Sequence, residues 1–310
     1  MNSSQSNKII IFVIVSVLFY VILLIFSDLK IILEQILNFQ FEFIPIIFSL
    51  MGLQFLFLGL KFHRLLKQLS IEIPVKTSIM IFISGLSLIA TPGGMGTAIK
   101  SQILKNKFQI PVSTTLPLIY VERFTELLGI IMILAILLIF NIFYQSLLAI
   151  MLGSILIFFM YIFSSNSIIL KSVRSIFLKI KKIEKFSKNL DESKKSFSLL
   201  LKITPFSESL MWSILAKTSQ LFAVYFIFLS FNLDLGVILS GQIYYTSLVL
   251  GSISFIPSGL IITESTMLQF LTENIDFSLA VTVMVFTRLI TTWLGTILGI
   301  IFLKITNFQK

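Results

Sequence analysis

Long apolar runs follow one another along the chain, each closed by a few charged or turn-forming residues. About 20 apolar residues cross a hydrocarbon core as a helix, so runs of this length read as spans. The pattern predicts spans over 9–26, 44–60, 146–163, 210–229 and 278–303. A further span follows Pro111 and Pro117, enters through Glu122, Arg123 and Glu126, and ends near Phe140. The run over 9–26 exceeds an ordinary signal core and precedes no small-residue cleavage site, so it reads as an uncleaved first span. The runs are too long and too uniformly apolar for a β-barrel.

Two apolar segments behave differently. Residues 77–90 are apolar but short, and end at Thr91-Pro92-Gly93-Gly94-Met95-Gly96; residues 236–256 end at Pro257-Ser258-Gly259. Proline and glycine at membrane depth free backbone groups that lipid cannot satisfy, so such breaks persist only against protein or a wet cavity. An arginine stands 31 residues after each proline: Arg123 after Pro92 and Arg288 after Pro257. Paired breaks in two halves of a chain point to a transporter's binding site.

Loop charge orders these segments across the bilayer. Lys61, His63, Arg64 and Lys67 close the 44–60 span and mark the cytoplasmic side. Asp28, Glu34, Glu42, Asp234, Glu273 and Asp276 occupy the opposite loops. Were 77–90 a complete crossing, Lys100, Lys105 and Lys107 would lie outside, against the positive-inside rule. A re-entrant hairpin over 77–108, opening to the cytoplasm, resolves the conflict, and a hairpin over 237–272 opens to the outside. The expectation is therefore an all-α polytopic membrane protein built as a single transmembrane domain over 1–310. It has about six full spans plus two re-entrant broken-helix hairpins, arranged as inverted repeats over about 43–164 and 210–303. Both termini lie in the cytoplasm of a cell-membrane protein. Between the repeats, 171–202 is strongly basic with apolar residues near helical spacing, and reads as an amphipathic helix on the cytoplasmic surface or a topology-setting loop.

Composition narrows the chemistry. The chain has 310 residues, is 56% hydrophobic and carries a net charge of +10. That charge sits in cytoplasmic loops rather than on a soluble domain, so topology accounts for it and nucleic-acid binding does not. With no cysteine and one histidine, disulfides, thiolate metal sites and thiol catalysis are excluded, and no cofactor is expected.

The candidate site residues follow from depth and from the breaks. Arg123 and Arg288 lie inside spans, where a charge costs roughly 2.5–3.5 kcal/mol on insertion scales and persists by pairing or by facing a polar cavity. Either they bind a ligand or they lock helices through carboxylates, and Glu126 is one turn from Arg123. At each break a returning half-helix presents unpaired N–H groups and a positive dipole end, which suit phosphate or carboxylate. Pro92, Gly93, Gly94, Gly96, Pro257, Ser258 and Gly259 form those breaks, and the glycines allow close backbone approach. Glu264, in the second returning half-helix, balances the arginines, carries a proton or binds a cationic ligand group. Glu122 lies near enough to the interface to be solvated. Lys100 meets a headgroup, or more simply snorkels. His63, Trp212 and Trp293 read as interfacial or packing residues.

The same residues resemble the flippase-like membrane domain of lysylphosphatidylglycerol synthases and its standalone relatives. The resemblance rests on Thr91-Pro92-Gly93-Gly94-Met95-Gly96, Glu122-Arg123-Phe124-Thr125-Glu126, Pro257-Ser258-Gly259-Leu260 with Glu264, and Thr287-Arg288-Leu289, over about residues 9–303. The family's first break usually continues to a glutamate, where this chain has Thr97. Its second break usually carries glycines where Ser258 and Ile261 stand here. The resemblance implies a lipid translocase moving an anionic phospholipid or lipid-linked headgroup between leaflets. No counterpart of the synthases' large soluble domain lies in these 310 residues, so synthase activity is not expected. Two other classes stay open: a membrane-embedded lipid transferase, and a non-transporting scaffold for a lipid- or glycan-modifying enzyme. The transferase usually needs clustered aspartates for Mg²⁺, and Asp28, Asp191, Asp234 and Asp276 stand apart. The expected partner is a membrane lipid, with a homodimer or such an enzyme as a further one.

Overall fold

The computed structural model describes residues 18, 21–23, 25–88, 99–165, 184–254 and 256–308, and every regular element among them is helical. The break at Pro92, Gly93, Gly94 and Gly96, most of the first predicted span, and 171–183 of the basic segment lie outside the described residues. In chain order the elements are α1 (Leu29–Leu37), α2 (Ile44–Gln68), α3 (Val75–Gly85), α4 (Ile99–Phe108), α5 (Val112–Phe140) and α6 (Tyr144–Ser165). They continue with α7 (Glu184–Leu200), α8 (Ile203–Ser230), α9 (Gly236–Ile253), α10 (Ile262–Thr272), α11 (Phe277–Arg288) and α12 (Leu294–Phe308).

Six helical stretches among the described residues are long and apolar enough to cross a membrane, namely Phe41–Gln68, Val112–Phe140, Tyr144–Ile162, Ile203–Ser230, Gly236–Ile253 and Phe277–Thr306. The chain is thus an all-α, multi-pass membrane protein. Several helices outrun the apolar stretches that announced them. The second runs to Gln68 rather than stopping near Leu60, because Phe62, Leu65 and Leu66 are buried against neighbouring helices and carry the element onward. Ile203–Ser230 likewise starts about two turns before the predicted 210–229 span. Gly236–Ile253, read from the sequence as one limb of a hairpin, has 18 residues and meets the length of a crossing.

Local chemistry sets the ends. Asp28 caps α1, its carboxylate accepting from Lys30 N at 2.8 Å. Proline opens α2 at its first turn, where the missing N–H costs nothing. After α9 the chain reverses through Ser258 (φ 53°), Gly259 (φ 63°) and Ile261 (φ 72°, ψ −55°). Left-handed backbone at a serine, and a γ-turn geometry at a β-branched residue, are strained conformations. Gly259 is obligatory for packing as well, since a Cβ there would stand 2.9 Å from Gly251 Cα. Beyond Arg288 the last span passes through a π-helical turn, Leu289–Trp293, before α12 continues it. Such turns displace side chains from regular spacing and recur at functional sites.

α8 packs along α2 and α5, while α12 packs on α3. α9 lies against α6, α8 and α10. Two apolar clusters result. One gathers Met51, Leu134, Val224, Tyr244, Val249, Met267 and Met284, and the other Phe62, Leu66, Ile81, Leu104, Leu118 and Leu200. α7, the described part of the basic segment, docks on α5: Ser113 donates to Glu192 Oε2 at 2.6 Å and Ser193 donates to the Ser113 carbonyl at 2.7 Å.

Candidate functional site

Both clusters contribute walls to a cavity of about 360 Å³ inside the bundle. Leu58, Phe82 and Leu86 come from one cluster, and Leu127, Ile130 and Tyr244 from the other. Its polar lining includes Gln54, Lys100, Arg123, Glu126, Lys217, Gln220, Ser258 and Arg288. Arg123 and Arg288 each lie eleven residues past the first residue of their spans, Val112 and Phe277. At 1.5 Å per residue that is about 16 Å of helix, roughly half of a 30 Å hydrocarbon core.

The second break folds against Arg288. Arg288 Nε donates to Glu264 Oε1 at 2.6 Å, and Nη2 donates to the Ser258 carbonyl at 3.1 Å. Arg288 is 2% exposed and Glu264 fully buried. One guanidinium therefore ties α11 both to α10 and to the backbone freed by the break, the satisfaction that a broken segment at membrane depth requires. Gly259 lines the cavity beside it. Pro257 opens the short turn Pro257–Gly259.

On the other side, α5 presents Glu122 and Glu126 one turn apart. Arg123 Nη1 donates to Glu126 Oε2 at 3.3 Å, with the Arg123 side chain 40% exposed. Each arginine pairs with a carboxylate, as the helix-locking reading expects, and each also lines the cavity.

Three sequence expectations need correction. Glu122 is not solvated at an interface; it is buried, and Oε2 accepts from Lys100 Nζ at 2.6 Å. Lys100 does not snorkel. Its ammonium lies about 5 Å from the ring centres of Phe62 and Phe82, a cation–π environment. Its stem occupies the space a Cβ at Gly85 would need, with Cγ 2.5 Å from that position. Lys61, taken as a cytoplasmic marker, is fully buried. Its ammonium donates to Glu126 Oε1 at 3.0 Å, the Glu122 carbonyl at 3.1 Å and Ser213 Oγ at 3.1 Å, using all three protons.

Sequence reasoning missed Lys217 and Gln220 on α8. Lys217 is 8% exposed and donates to Gln220 Oε1 at 3.1 Å, while Gln220 Nε2 donates to the Tyr244 hydroxyl at 2.9 Å. The signal was present: Ser209, Ser213, Lys217 and Gln220 form a polar stripe at helical spacing down an apolar span. Gln54 on α2 was also missed; its Oε1 is buried without a hydrogen-bond partner among the described residues.

Chemically, the site offers several fixed cations and amide groups in a partly apolar chamber, and suits binding of an anion. Comparison with known proteins agrees with a membrane assignment. Residues 13–299 match the family described as the lysylphosphatidylglycerol synthase TM region. The UPF0104 membrane protein MJ1595 of Methanocaldococcus jannaschii is 25% identical, over 97% of this chain and 96% of its own length. The UPF0104 membrane protein MJ1078 of the same organism is 30% identical, over 70% of this chain and 92% of its own.

Proposed function

Since the chain belongs to the family of lysylphosphatidylglycerol synthase TM regions, we propose that it is a lipid translocase, carrying an anionic phospholipid or lipid-linked headgroup between leaflets. The observation that carries this reading is a cation-lined cavity enclosed by membrane spans, with Arg123, Lys217 and Arg288 facing one chamber. Phe55, Leu127, Ile130, Leu156 and Met160 form its apolar walls. The headgroup occupies the chamber while the hydrocarbon tails stay in lipid. The N–H groups at the start of α10 add donors and a positive dipole end near Arg288.

In this reading the hairpins over 77–108 and 237–272 are re-entrant and oppositely inserted, and the repeats rock about the cavity to alternate its access. Loop charge sets both termini in the cytoplasm of a cell-membrane protein. No enzymatic step is required, because binding energy and exchange of access suffice for transfer between leaflets.

The test is leaflet exchange in reconstituted vesicles, read by quenching of acyl-chain-labelled phosphatidylglycerol or phosphatidic acid from the outer face. Wild-type protein accelerates exchange over protein-free vesicles. Arg123→Gln with Lys217→Gln removes two cavity charges and lowers the rate at least about tenfold, the effect of roughly 1.4 kcal/mol. Exchange at the protein-free rate with every labelled anionic lipid, or an unaffected double variant, would refute the proposal.

A further inference from the structure

Lys217 differs from the other buried cations. Lys61 spends all three protons on protein acceptors, and Lys100 and Arg288 each hold a carboxylate at 2.6 Å. Lys217 gives one hydrogen bond to Gln220, and among the described residues no carboxylate oxygen lies within 4.0 Å of it. The ammonium is nevertheless held in place. Gln220 is anchored by Tyr244, and the Tyr245 hydroxyl donates to the Lys217 carbonyl. Lys217 lines the same cavity as Arg123 and Arg288.

The charges around the chamber do not balance. Among the described residues, five cations, Lys61, Lys100, Arg123, Lys217 and Arg288, face three carboxylates, Glu122, Glu126 and Glu264. Two positive charges are left over. The sequence outside the described residues contains no aspartate or glutamate. Buried charge without a counter-ion is costly, and a bound anion of matching charge removes that cost.

We propose that the cavity is a binding site for a dianionic phosphoryl group, a phosphomonoester or the terminal phosphate of a diphosphate, with Lys217 as its anchoring cation; the inference deepens the headgroup reading above and rests on it. Such a group carries about −1.5 to −2 charge at pH 7 and three strong acceptor oxygens. It matches the net excess of two positive charges, whereas a phosphodiester or a carboxylate offsets only one of them. Lys217 acts as the point charge and Arg123 as the planar fork, while Arg288 contributes field without releasing Glu264.

The experiment uses the full chain in phosphatidylcholine nanodiscs, titrated with dioleoyl phosphatidic acid, dioleoyl phosphatidylglycerol and inorganic phosphate, with binding read by native mass spectrometry and tryptophan fluorescence. Phosphatidic acid is expected to bind at least about tenfold more tightly than phosphatidylglycerol near pH 7.5, and the ratio to narrow near pH 5.5 as the second phosphate ionisation, with pKa about 6, reverses. Lys217→Gln abolishes this discrimination and Lys217→Arg retains it. Lys194→Gln with Lys195→Gln, on the exposed face of α7, leaves it intact and so removes surface attraction as the cause. Equal affinity for the two lipids, or discrimination that survives in Lys217→Gln, overturns the proposal. Displacement of phosphatidic acid by comparable inorganic phosphate assigns a soluble phosphate source; resistance to a large excess assigns the lipid headgroup; both support the phosphoryl class. Leaflet exchange without preference for phosphatidic acid defeats this inference and leaves the translocase reading standing. Selective binding without any lipid exchange defeats the translocase reading and leaves the site.

Discussion

The pair between Arg288 and Glu264 offers the sharpest measurement on this fold. Both side chains are almost fully buried, and Nε and Oε1 are 2.6 Å apart. At that distance and an effective dielectric of about 20, the gross attraction is about 6 kcal/mol, from which the desolvation of both ions must be subtracted. Two perturbations separate these quantities. Glu264→Met removes the carboxylate and leaves a buried guanidinium that cannot deprotonate, with the Ser258 carbonyl still accepting from Nη2 to soften the loss. Breaking a buried pair in this way costs about 3–5 kcal/mol. Arg288→Met made together with Glu264→Met removes both ions and keeps much of the volume, so stability returns to within about 1–2 kcal/mol of wild type. SDS-induced unfolding in mixed micelles, followed through Trp212 and Trp293, measures both changes and the coupling between them. The double variant folds but loses lipid exchange, which divides the arginine's structural role from its place in the cavity. A Glu264→Met protein within about 1 kcal/mol of wild type would refute the reasoning, because it would mean that water reaches the pair. A double variant no more stable than the single would refute it too.

Two predictions concern the second break. Gly259→Ala places a Cβ 2.5 Å from Thr263 Oγ1 on backbone at φ 63°, and is expected to cost about 2 kcal/mol or more in the same unfolding assay. Ile261→Gly loses a half-buried side chain but releases a γ-turn strain of about 1–3 kcal/mol, so its net change stays within about 1 kcal/mol; a loss above about 2 kcal/mol would show that the observed backbone is unstrained.

How much of this protein was readable before folding depends on which physical rule each residue answers to. Apolar length is a one-dimensional property, and the bilayer measures it directly, so the all-α membrane architecture follows from 56% hydrophobic composition and the spacing of the runs. The break at Pro257-Ser258-Gly259, with Glu264 and Arg288 around it, was equally legible, because proline, glycine and deep charges are rare in spans and each demands compensation. Even the departures at Ser258 and Ile261 make sense in retrospect: both adopt the positive φ that glycine accepts most readily.

The lysines were not legible, and the reason is geometric. A lysine near the end of an apolar run has two solutions, to snorkel to the interface or to turn inward, and which one holds depends on the neighbouring helix. Lys61 and Lys100 turn inward because Glu126, Ser213 and Glu122 wait on α5 and α8, residues 22 to 152 positions away in the chain. Lys217 sits inside a predicted span with no break or repeat to draw attention to it, and only the closing of α2, α5, α8 and α9 around one chamber makes its charge unmatched. Sequence alone thus determined that the chain lives in a membrane and that a helix breaks at Pro257-Ser258-Gly259. Tertiary packing decided which charges cancel and which remain, because that balance is set by distances between helices that no local pattern encodes.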